Sequence, residues 1–440
     1  MDSTTWRTRL GAVGLVVAVA TTAVACGSTN SSSTTTTSGS GSGSGTGTSA
    51  IPSSAFSDHT GITATSVRVA NVSTLAVGGL FKGALVGTEA YADYVNSTGG
   101  VNGRKITVDS ADDDFSGAGN KQATQNAITN DFALVGGFSL QDNFGGLLLA
   151  ANPGMPDVSV VLDQATNKLP NVFSAVPLNG GYEEGPLQYY KEKFPKDVDA
   201  VGTVVSDQAS AMTDWAGQKY AMEKVGFKIV YDPSVPVTQT DYTQNVIAMK
   251  NAGVKILFLS QLPQNYASAM LKDLQQQDFH PQVILSSANY SNDLVPASGG
   301  AAAVDGALFD QNTSLFLGQD ASLIPAVGLF NKWVQQASPG FKTDLFTLYG
   351  WLSAELFSQA LKNAGSDPSR GSLLSALSKI TSFSGDNIIG PNDPAAKTVG
   401  NCYLLGRMVD GQYQRLDDPP VTSDTFGYRC NYRYITPPAS

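Results

Sequence analysis

Val95-Asn96-Ser97-Thr98-Gly99-Gly100-Val101-Asn102-Gly103-Arg104-Lys105-Ile106 is the stretch where a helix has to stop, turn and re-enter as a strand. Two adjacent glycines can take the left-handed conformation that helix stops favour, and Asn-Gly makes a tight turn. Upstream, Leu80, Ala84, Leu85, Tyr91, Tyr94 and Val95 recur near helical spacing, which predicts a helix over 80–96 opened by Gly78-Gly79. Before it, Val67 to Val72 reads as a short strand, apolar at Val67, Val69 and Val72. After it, Lys105 to Asp109 reads as the next strand, running into the acidic loop Asp112-Asp113-Asp114-Phe115. Strand, helix, tight turn and strand, from 61 to 115, make one right-handed crossover of a parallel sheet.

The same alternation continues outward. A helix over 121–131 leads to the buried strand Phe132 to Gly137 and the turn Phe138 to Asn143. A helix near 144–151 leads to Val158 to Leu162 and the loop Asp163 to Asn167. Asn171 to Ala175 is extended and reads as a crossing to a second lobe. There, helices over 182–194, 212–225, 240–252 and 266–277 alternate with strands at 200–205, 228–231, 255–259 and 282–285. Their exit loops are 206–210, 260–263 and 286–290. Val304 to Asp310 reads as the return crossing, helices over 323–336 and 342–363 pack on the first lobe, and 401–413 closes as a hairpin. The expected fold is α/β, with two Rossmann-like lobes of parallel sheet joined by a multi-strand hinge. The boundaries are 61–174 for the first part of lobe 1, 175–305 for lobe 2, 306–400 for the second part of lobe 1, and 401–440 for a hairpin and tail.

Composition narrows the partners. The net charge of -10 disfavours nucleic acid. The apolar fraction of 42 % is that of a globular protein with real cores. Enzyme signatures are sparse. The two histidines, His59 and His280, stand near no nucleophile elbow, and no HExxH or CxxC pattern occurs. Asp112-Asp113-Asp114 lacks EF-hand spacing and reads as a solvated acidic loop. No catalytic residue, metal or cofactor is expected.

The first 25 residues form a targeting segment. Arg7 and Arg9 supply a positive start, and Leu10 to Ala20 is apolar but too short to favour a membrane span. Ala23-Val24-Ala25-Cys26 resembles a bacterial lipobox, which implies a lipid on Cys26; ordinary signal cleavage near Ala25 is the alternative. Residues 26–60, mostly Ser, Thr and Gly, are expected to be a disordered linker with a reach of about 25–30 Å. The expected location is extracytoplasmic, on the outer face of the bacterial cell membrane, with the membrane met through the lipid alone. Cys402 and Cys430 are expected to form a disulfide, contributing about 3 kcal/mol, with free thiols as the alternative in a reducing compartment.

The 95–106 motif resembles the first unit of the type I periplasmic solute-binding proteins, closest to the branch serving branched-chain amino-acid ABC transporters. Gly226, Thr240-Asp241, and Tyr349-Gly350-Trp351 through Asp367 extend the resemblance to 61–415. It implies a Venus-flytrap protein that binds a small polar solute between its lobes, closes by hinge motion, and hands the solute to a membrane permease. The alternative is a sensor of the same fold for a signalling partner. Ala165-Thr166 matches the family's Ala-Thr loop, so Thr166 is expected to hold a ligand carboxylate. Ser139 and Gln141 lie in another matching loop, where the family's serine falls nearer Leu140. Phe81 or Leu80 stands where an aromatic contacts ligand. In lobe two, Gln208, Gln261 and Asn289 or Tyr290 occupy the matching exit loops. The family's acidic partner for a ligand ammonium is missing from Ser287-Ala288-Asn289.

Overall fold

The computed structural model describes residues 51–178, 181–417, 425–430 and 433–438. The targeting segment, Cys26 and the linker up to residue 50 lie outside the described residues. From Ile51 onward the chain is packed: Ser53–Ser57 is a short 3-10 helix, Ala55 is buried, and Asp58 pairs with Arg370 at 2.9 Å. The expected linker therefore ends ten residues early, because 51–60 supplies Ile51, Ala55 and Phe56 for packing.

Two sheets organise the body. The first holds β1 (Ser66–Ser73), β2 (Lys105–Asp112), β3 (Ala133–Val135), β4 (Asp157–Val158) and β5 (Val172–Phe173), all parallel, in the order β2-β1-β3-β4-β5. After β6 (Tyr182–Glu183) come β7 (Val201–Gly202), β8 (Val205–Ser206), β9 (Ile229–Tyr231), β10 (Ser234–Val235), β11 (Ile256–Phe258), β12 (Gln282–Ser286) and β13 (Leu308–Gln311). β14 (Leu404–Val409), β15 (Gln412–Arg415) and β16 (Tyr434–Ile435) follow much later. The second sheet runs β15-β14-β13-β12-β11-β7-β9, parallel except where the β14–β15 hairpin is added antiparallel to β13.

The opening crossover forms as its sequence dictates. Val67 and Val69 of β1 are fully buried. Asn71, also fully buried, donates to Thr88 Oγ1 (3.1 Å) and the Val135 carbonyl (3.2 Å) and accepts from Ser73 Oγ (2.7 Å). That partnering offsets the cost of an amide in the core. At the turn, Gly100, Asn102 and Gly103 have positive φ and Val101 bridges Arg104. Asn96 clasps the Ile106 backbone in both directions, at 2.7 and 2.8 Å. Asn102 donates to the Lys362 and Gly365 carbonyls, fastening the end of the long helix Leu345–Asn363.

The first helix runs Lys82–Ser97, two residues later than the spacing predicts, because Val77, Gly78 and Gly79 take positive φ and form a separate turn. It crosses Leu345–Asn363 at backbone contact. A Cβ on Gly87 would lie 1.9 Å from the Thr347 carbonyl oxygen, and one on Gly350 would lie 2.0 Å from that of Ala84.

The chain passes between the sheets three times: after β5, after β13 and before β14. The last two passages run side by side, with Thr313 bridging Ile389 and Gly390 N–H donating to the Asn312 carbonyl at 3.0 Å. The segment read as a return crossing, 304–310, instead ends in a strand of the second sheet, and the crossing follows it. The helix expected over 182–194 starts at Glu184, because β16 pairs with Tyr182 and Glu183. Cys402 and Cys430 are disulfide-bonded.

Gly87→Ala forces the two helices apart. We expect a loss of about 1–3 kcal/mol, read as a lowered urea midpoint. An unchanged midpoint would contradict backbone contact at this crossing.

Candidate functional site

A cavity of about 230 Å³ lies at the carboxyl ends of strands from both sheets, where open α/β sheets place their ligands. At about 30 Å³ per water it holds roughly eight waters' worth of space, which suits a small solute.

The two sides of the cavity differ in chemistry. The first sheet and its helices contribute an apolar wall: Phe81, Phe138 and Phe346, with Leu140, Leu162 and Tyr349 beside them. The three phenylalanine rings pack mutually, with centroids 4.6–4.8 Å apart. The second sheet contributes a polar wall. Ser260 and Gln261 leave β11, Ser286 to Ala288 end β12, and Asp310 to Asn312 end β13. Glu183 comes from β6, and Asp214 and Gln218 from the helix Ala209–Val225. No lysine, arginine or histidine lines the cavity among the described residues.

Hydrogen bonds set the polar wall. Gln261 Nε2 donates to Asp214 Oδ2 (3.0 Å) and to Gln218 Oε1 (2.8 Å), which also accepts from Ser260 Oγ (2.8 Å). Asp310 accepts from the Tyr190 and Tyr182 hydroxyls, at 2.7 and 2.8 Å. Two buried atoms of this wall have no partner: Gln218 Nε2, on a residue 1 % exposed, and Gln311 Oε1, on one 3 % exposed.

The carboxyls are held away from their ordinary range. Burial, then the nearby Asp310 and Asp214 charges, pushes Glu183 up to about 7. Burial raises Asp310 to about 6 although both tyrosine hydroxyls favour its ionised form. Burial also raises Asp214, against the Gln261 hydrogen bond.

The residues expected from sequence separate into three groups. Phe81 and Gln261 line the cavity. Gln141 and Gln208 do not, but Gln141 Nε2 donates to Gln208 Oε1 at 2.7 Å, joining the loop after β3 to the start of the helix Ala209–Val225. The others are spent on local structure. Thr166, 4 % exposed, gives its hydroxyl and backbone N–H to Asp163 within the short helix Gln164–Asn167, where Ala165 is exposed. Ser139 donates to Asp113 and accepts from the Gln141 N–H at 2.8 Å. Ser139 and Thr166 face a separate space of about 40 Å³. Asn289 caps its own turn and donates to the Leu262 carbonyl at 2.7 Å. Tyr290 is a core ring against Tyr413 and Phe316. Leu140 and Leu162 face the cavity near the expected hydroxyls.

The acidic groups absent from 287–289 come from elsewhere. Asp310 was hidden in a segment read as a crossing, although the apolar run Ala307 to Phe309 before it is a strand signal. Asp214 and Gln218, spaced i, i+4, share one face of a helix. Glu183 is turned to the cavity by β16, whose Tyr434 lines the same wall and donates to the Gly181 carbonyl at 3.0 Å.

This geometry defines a two-sheet α/β body with a cavity between the sheets. The chain belongs to the periplasmic binding protein family, whose model matches residues 69–412. It is related to the branched-chain amino-acid binding proteins of ABC transporters. It is 27 % identical over 291 residues to the Leu/Ile/Val-binding protein homolog 1 of Brucella melitensis, covering 64 % of this chain and 73 % of the relative. The fold matches a fatty acid ABC transporter substrate-binding protein from Thermomonospora curvata at a TM-score of 0.69 and 18 % identity, over 86 % of this chain and 95 % of the other. It also matches an ABC transporter solute-binding protein from R. palustris in complex with benzoate, at 0.68 and 16 % identity, over 84 % and 97 % of the two chains. Among the described residues, no helix is long and apolar enough to cross a membrane.

Glu183 couples stability to pH. Its folded value lies above the ordinary 4.5, so its favourable contribution is complete below that value. It is lost as pH rises through about 7, at no more than roughly 1.4 kcal/mol per pH unit. Glu183→Gln should therefore raise the ligand-free melting midpoint at pH 8 and leave it nearly unchanged at pH 4.5. An equal shift at both pH values would contradict this.

Proposed function

We propose that this protein is the extracytoplasmic solute-binding component of an ABC transporter, a lipoprotein anchored through Cys26. It takes a small polar solute, an amino acid or amino-acid-like molecule, into the intersheet cavity and delivers it to a membrane permease. The observation that carries this reading is the cavity itself. It sits at the strand ends of both sheets, between a wall of aromatic rings and a wall of acidic and amide side chains. The family membership supports the same reading.

Phe81 and Gln261 are the contacts expected from sequence that this reading keeps as direct. Thr166, Ser139, Ala165, Asn289 and Tyr290 act by shaping the loops around the site. Gln141 and Gln208 act as a latch between the two sides. Solute touches both walls only when they are together, so it shifts the population toward the closed form.

A thermal-shift screen of amino acids, amides and small carboxylates tests the reading. A solute at 100 times its dissociation constant should stabilise the fold by about 2.7 kcal/mol, and small-angle scattering should then show a smaller radius of gyration. A stabilising solute that leaves the radius unchanged would contradict hinge closure. Turnover of that solute would contradict a binding protein.

A further inference from the structure

The cavity wall is chemically one-sided. Glu183, Asp214 and Asp310 face it, and no cationic side chain does so among the described residues. The hydroxyls expected to receive a ligand carboxylate, those of Ser139 and Thr166, are committed to Asp113 and Asp163. Leu140 and Leu162 line the cavity there instead. A carboxylate entering this space adds a fourth like charge with no guanidinium or ammonium to meet it, and like charges in a shared buried site oppose ionisation.

Opposite the acidic wall, the Phe81–Phe138–Phe346 ring group offers an apolar face, and aromatic faces also attract cations.

We propose that the solute is a small amphipathic cation without a carboxylate. Its ammonium is directed to the Glu183–Asp214–Asp310 wall, and its apolar body lies on the three phenylalanines. An amino-acid amide has this chemistry. The inference rests on the solute-binding reading above and narrows it.

A set of ligands that share one body tests it by calorimetry at pH 7.5. L-phenylalaninamide (cation with a neutral carbonyl), phenethylamine (cation alone), L-phenylalanine (zwitterion) and 3-phenylpropionate (anion) are titrated in turn. Leucinamide and leucine form an aliphatic pair. The amide should bind at least tenfold tighter than the matching amino acid, phenethylamine should also bind more tightly than phenylalanine, and phenylpropionate should not bind. Asp214→Asn and Glu183→Gln should each weaken the amide at least tenfold and narrow its lead over the amino acid, in variants whose far-UV circular dichroism matches the parent. If phenylalanine or leucine binds as tightly as its amide, the inference is overturned while the solute-binding reading stands. If no member of either set binds, the inference is overturned, and the solute-binding reading falls only if the wider thermal-shift screen also finds no ligand.

Discussion

Three carboxylic acids are held in a confined space whose wall contains no counter-charge among the described residues. That constraint governs the rest of the site. Ionised carboxylates taken out of water are expensive, and the protein meets the cost locally. Asp310 is clasped by two tyrosine hydroxyls, Asp214 by Gln261, and Glu183 sits high in its titration. Such an arrangement is poorly suited to stability alone. It fits a wall whose remaining partner comes from outside the chain. The opposite wall of rings is apolar, so on the proposed reading the two walls divide the work: one meets charge, the other shape and apolar area.

The scaffold makes that division possible. The Lys82–Ser97 and Leu345–Asn363 helices meet at glycine contacts, which sets Phe81 and Phe346 at the ends of neighbouring helices. The acidic wall depends on a different device. β16 follows the disulfide Cys402–Cys430 and lies past residue 412, where the family match ends. It pairs with Tyr182 and Glu183, and Arg433 fixes Glu184 through two hydrogen bonds at 2.8 and 2.9 Å. A segment beyond the family match thus builds part of the wall.

Local chemistry made much of the fold legible. The Gly99-Gly100 stop and the Asn102-Gly103 turn mark the crossover, and the period of the following helices and strands carries the alternation through both sheets. The site was less legible, for a physical reason. A hydroxyl or amide in an exit loop has two uses, to cap its own loop or to face the ligand, and sequence does not separate them. Thr166 and Asn289 cap, whereas Gln261 faces the cavity. Glu183 and Asp310 stayed hidden because their orientation is set by strand partners distant in sequence, β16 for one and β12 with β14 for the other. The apolar run ahead of Asp310 was the one local signal available.

The most direct test is a crystal structure of the protein isolated with its natural solute from the producing organism. The account predicts one small molecule touching both Phe81, Phe138 or Phe346 on one side and Asp310 or Gln311 on the other. Density for a molecule that contacts only one wall, or that lies outside this cavity, would contradict it.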